Sequence, residues 1–70
     1  MKAVIDIESE NPDQIIKAIE PDMDQTEKFD ARLEEGEKKV VLTVEAREAS
    51  GLLAGINSYV KLIKVAKTEL

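Results

Sequence analysis

The apolar positions along this chain repeat with two periods. From Met1 to Glu8, Ala3, Ile5 and Ile7 alternate with Lys2, Val4, Asp6 and Glu8, the period of two that gives a strand one buried and one wetter face. Asn11-Pro12-Asp13 then carries helix-start chemistry: a capping Asn11, a proline suited to the first turn and an acid at the positive end of the dipole. The spacing of Ile15, Ile16 and Ile19 predicts a short helix from Pro12 to about Glu20, halted by Pro21, which disfavours a helical Glu20. From Glu27 to Glu34, Phe29, Ala31 and Leu33 alternate with Lys28, Asp30, Arg32 and Glu34, a second strand. Glu35-Gly36 supplies a turn in which Gly36 takes positive φ, and a third strand runs from Lys39 to Ala46 with Val40, Leu42, Val44 and Ala46 inward. Val41 and Thr43 make its outer face the most β-prone of the three, so it is expected at the centre of the sheet.

The last segment, from a capping Ser50 to Leu70, returns to helical spacing. Leu52, Ile56, Tyr59, Ile63, Ala66 and Leu70 recur at intervals of four and three, which places them on one helix face. Leu53 and Val60 widen that seam on one side and Leu62 on the other. The apolar arc is then wider than the roughly 100° one core requires, so the helix is expected to touch its own sheet and something else. Gly51 and Gly55 lie within it. Each is read either as filler, at a fraying turn or beside a tight neighbour, or as a position another backbone approaches, since an interior glycine costs up to about 1 kcal/mol relative to alanine.

The predicted order is β-α-β-β-α. This is an α+β fold with two helices packed on one face of a three-stranded antiparallel sheet, in order 1-3-2, within a single domain spanning residues 1–70. A chain this short buries only about 60% of its unfolded surface. It contains no cysteine and no histidine, so neither a disulfide nor an ordinary zinc site is expected to supplement the core, and a protein partner is the remaining common support. No apolar run reaches membrane-spanning length and no signal-type segment opens the chain, so a cytoplasmic protein with no membrane contact is expected.

Charge and candidate chemistry narrow the function. The net charge is −5, divided as +2 over residues 50–70 (Lys61, Lys64 and Lys67 against Glu69) and −7 over residues 1–49. An acidic body disfavours autonomous binding to a phosphate backbone. The lysines of the last helix read first as a solvated face complementing the dipole, ahead of phosphate contact. Asp22 and Asp24 have the spacing of a calcium loop, but Glu27 stands where glycine and Leu33 where a bidentate glutamate would be needed. Tyr59 falls on the core seam and Ser9, Ser50 and Ser58 have no predicted base beside them, so neither an active site nor a cofactor is expected.

Strand pairing offers a route to a partner. If two copies of the second strand pair antiparallel about Ala31, Asp30 opposes Arg32 and Lys28 opposes Glu34, contributing roughly 0.2–1 kcal/mol per pair. The first strand, paired about Ile5, matches Lys2 with Glu8 but sets Val4 against Asp6. A two-fold dimer through the second strand, with Lys28, Asp30, Ala31, Arg32 and Glu34 at its edge, is therefore expected.

The run from Ser50 to Ala66 resembles the final helix of the Pcc family, the small dimerising subunit of the archaeal and eukaryotic KEOPS complex. Leu52, Ala54, Gly55, Ile56, Asn57 and Ser58 carry the match, and Ile16 to Asp22 resembles the ending of the family's first helix before proline and an acid. The resemblance spans essentially the whole chain and implies the same β-α-β-β-α fold. It also implies a non-catalytic scaffold subunit of the assembly that makes threonylcarbamoyladenosine in tRNA. Such a subunit dimerises and docks on the transferase subunit through its C-terminal helix, here at a surface expected on Leu53, Asn57, Val60, Lys61 and Lys64. Leu53 stands where the family usually carries arginine, which leaves open a homodimer or a heterodimer with a paralogue, with tRNA touched at most indirectly. The alternative is a stand-alone nucleic-acid-binding module of the KH type, which shares the layout. Against it, no glycine-x-x-glycine loop joins the helices and the body is acidic.

Overall fold

The computed structural model describes residues 1–22 and 28–69. The polar connection around Asp24, the calcium-loop positions Asp24 and Glu27, and Leu70 at the end of the seam lie outside the described residues. Strands β1 (Lys2–Glu8), β2 (Asp30–Gly36) and β3 (Lys39–Glu45) form an antiparallel sheet ordered β1-β3-β2, with helices α1 (Pro12–Ile19) and α2 (Ala49–Glu69). The predicted fold class and sheet order are those observed. Helix α1 packs against β2, β3 and α2, while α2 packs against β3 and β1.

The central strand forms the floor of the core. Val40, Leu42 and Val44 are fully buried, covered by Ile15, Ile19, Tyr59, Ile63 and Ala66 from the helices. At roughly 1.5–3 kcal/mol for each large aliphatic side chain fully removed from water, this small cluster supplies most of what holds the layers together. Val4, Val41, Thr43 and the outward charges of all three strands lie on the other face, which neither helix covers.

Several local expectations are corrected. The hairpin turns at Glu37-Lys38 with Lys38 at φ 54°, while Gly36 sits inside β2 opposite Lys39. A Cβ at Gly36 would lie 2.7 Å from Cγ of Lys39, so glycine here makes room for a cross-strand side chain and the turn strain falls on Lys38. The second strand accordingly begins at Asp30, not Glu27, and Lys28 precedes it. Asn11 makes no side-chain cap; its N–H donates to Oγ of Ser9 (3.1 Å) and its carbonyl accepts from the Ile15 N–H (3.2 Å). Glu20 remains helical at φ −46°, ψ −44°, and the chain tightens through a 3₁₀ turn, Glu20–Asp22, containing Pro21. Ser50 is already helical, because α2 starts at Ala49 and the Glu48 carbonyl accepts the Leu52 N–H (3.1 Å).

Candidate functional site

The buried seam of α2 is rotated from the one its apolar spacing predicts. Gly51, Gly55, Tyr59, Ile63 and Ala66 are buried, whereas Leu52 and Ile56 are half-buried. The two glycines explain the rotation. A Cβ on Gly51 would stand 2.6 Å from the Lys28 carbonyl oxygen, and one on Gly55 would stand 2.7 Å from Cγ1 of Val44 and 2.9 Å from Cδ1 of Phe29. The backbone-approach reading therefore holds for Gly51, while Gly55 fits tight side-chain neighbours, the other reading offered for it. Phe29 meets Tyr59 edge to face at 6.2 Å and 89°, a favourable aromatic geometry that locks the start of β2 under the middle of the helix.

Because the glycine side faces the sheet, the Leu53 side faces water. Leu53 is 58% exposed, Asn57, Lys61 and Lys64 are exposed, and Val60 is half-buried. Placed at 100° per residue, these five fall within about 100° of arc, so the sequence-predicted surface is a continuous strip with Leu53 and Val60 as its apolar part. Lys67 lies only about 20° from Val60 on that projection, and its Nζ donates to the Glu8 carbonyl at the end of β1 (2.7 Å). The C-terminal end of α2 thus lies at the β1 margin, while the strip itself is on the face of the helix turned from the sheet. Lys67, read from sequence as one of three solvated lysines, has a defined structural partner that helical spacing alone could not reveal. Val65, 51% exposed on the opposite flank, was likewise missed.

The predicted strand edge lies at the other margin, beyond α1. Asp30, Arg32 and Glu34 are exposed on the outer face of β2, Ala31 is half-buried on the helix face, and Lys28 is exposed just ahead of the strand. Backbone parity decides which groups this edge offers. Met1 and Ala46 exchange both backbone hydrogen bonds, and the Ser9 N–H donates to the Lys38 carbonyl. In the same register, Ala3, Ile5 and Ile7 bond β3. The alternate β3 residues therefore serve Asp30, Arg32, Glu34 and Gly36, which turns the N–H and C=O groups of Ala31, Leu33 and Glu35 outward.

The described residues offer little catalytic material. No group of three or more Asp, Glu, His or Cys side chains is placed to hold a metal, and no polar or charged residue is buried. An open depression of about 620 Å³ lies at the hairpin end, lined by Glu8, Glu10 and Glu37 together with Lys38, Lys39 and Lys67. No described helix is long and apolar enough to cross a membrane.

Comparison with known proteins agrees with the layout. No curated protein and no solved structure gives a significant match. The family described as "Transcription factor Pcc1" matches residues 1–68. With its β-α-β-β-α order and its match from the first strand through the last helix, the chain belongs to the Pcc1 family, a family of KEOPS subunits.

Proposed function

We propose that residues 1–70 work as one domain, a non-catalytic dimerisation and scaffold subunit of the KEOPS assembly that makes threonylcarbamoyladenosine in tRNA, acting in the cytoplasm. In this reading the chain docks on the transferase subunit through the Leu53–Lys64 strip of α2. It pairs with a second copy or a paralogue through the edge of β2, and tRNA is reached only through the assembly. The observation that carries the proposal is the division of α2 into a glycine-lined face pressed onto the sheet and an apolar shoulder that runs from Val60, half-buried at the margin of the core, to Leu53 in water. In this reading the strip, on the face of α2 turned from the sheet, and the β2 edge are separate surfaces, so one chain can use both at once.

The test is capture of the tagged chain from native extract with mass measurement of the intact complex. A transferase-type partner is expected, and Leu53→Asp or Val60→Asp is expected to reduce its recovery at least tenfold while the circular dichroism spectrum is retained. Unchanged recovery would remove this surface from consideration. For the strand edge, Ala31→Pro deletes an outward N–H without breaking a bond to β3. It should yield monomers in sedimentation, and a persisting dimer would sink the β2 interface.

A further inference from the structure

The two sheet edges differ in one respect that bears on assembly. No bond among the described residues occupies the outward groups of Ala31, Leu33 or Glu35 on β2. On β1 the outward groups belong to Lys2, Val4, Asp6 and Glu8, by the same parity. One of these is taken, because the Glu8 carbonyl accepts from the Lys67 ammonium, 59 residues along the chain, at 2.7 Å.

That carbonyl is the one a second copy would need. Two β1 strands paired antiparallel about Ile5 bring Lys2 opposite Glu8 twice, with opposite charges matched, and in this register Lys2 and Glu8 exchange backbone hydrogen bonds. The Lys67 ammonium stands in place of the Lys2 N–H of the incoming strand and leaves a charged side chain across the edge, a known means of keeping edge strands from pairing. We propose that β1 is a latent pairing edge for a second copy of this chain, held closed by Lys67. The latch leaves the molecule one open strand edge instead of two, so that edge pairing ends in a closed pair and not in a growing row of sheets. It does not depend on which surface the transferase uses or on whether β2 pairs.

The experiment is sedimentation of the full chain over a wide concentration range. Lys67→Met keeps the length of the side chain and removes the donor and the charge. It should raise the average mass above that of the parent chain, with half-assembly at a concentration about a hundredfold lower, because a two-fold pair displaces two Lys67 to Glu8 bonds at about tenfold each. Adding Val4→Pro, which deletes an outward N–H of β1 and no bond to β3, should restore the parent mass. Lys17→Met, which removes an exposed charge from α1 away from this edge, should change nothing. A Lys67→Met chain with the parent mass would overturn the proposal. So would growth that survives Val4→Pro, or equal growth with Lys17→Met. Growth in the Ala31→Pro background as well would separate this edge from β2.

Discussion

The two sides of α2 both carry apolar residues and meet opposite fates. On one side Gly51 and Gly55 bring the helix axis close to β3 and to the start of β2, and Tyr59, Ile63 and Ala66 complete the contact. On the other, Leu53 is mostly in water and Val60 only half covered. Counting apolar side chains predicts one wide arc and does not say which part of it meets the sheet. The residues without side chains decide that, because a helix settles where its backbone can come closest.

If this division is real, substitutions on the two sides separate by magnitude. Ile63→Ala on the buried side should cost the most, about 2–5 kcal/mol, since Ile63 is fully buried against the central strand. For a chain with about 5 kcal/mol to lose, denaturant titration should show a folded state near or beyond its limit. A cost below about 1 kcal/mol would mean the helix repacks freely and the seam is not fixed. Next comes Gly51→Ala. Helix propensity alone would favour alanine by up to about 1 kcal/mol. The new Cβ, however, meets a backbone carbonyl 2.6 Å away, which has no rotamer to yield. A net loss of about 1–3 kcal/mol is expected, and a net gain would show that the helix can lift from Lys28 without penalty.

The sequence disclosed the architecture and concealed the contacts. Strand faces were legible because alternation is a property of side chains: Ala3, Ile5 and Ile7 inward on β1, and Val40, Leu42 and Val44 on β3, face the helices as expected. Leu53 and Val60 were legible as a shoulder for the same reason. The rotation of α2 was not, since periodicity assigns no weight to a glycine. Nor was the turn, where Gly36 drew the prediction and Lys38 has the positive φ, while Gly36 lies inside β2 opposite Lys39. The Lys67 to Glu8 bond joins chain segments too distant for any spacing rule. At the proposed docking strip and strand edge, chemistry and exposure were readable from side-chain spacing, while the anchoring of the end of α2 at the β1 edge was not.

Outside the core, effects should shrink toward zero. The Lys39 to Asp6 ion pair, at 3.1 Å with both side chains substantially exposed, is screened by solvent. A double-mutant cycle with Asp6→Asn and Lys39→Met should therefore give a coupling of about 0–1 kcal/mol that fades with added salt.

The smallest stability effect is expected at Leu53, the exposed apolar residue of the strip. Leu53→Arg places a long cation on a face already bearing Lys61 and Lys64, at a position 58% exposed. Leucine and arginine have nearly equal helix propensity, and the arginine stem can lie along Val60 with its charge in water. Stability by denaturant titration should therefore stay within about 0.5 kcal/mol of the parent chain. Should it fall by as much as Gly51→Ala, Leu53 would belong to the fold, and the shoulder could not be a surface held in reserve for a partner. Should stability hold while recovery of the transferase-type partner falls, residue 53 would be acting at the interface and nowhere else.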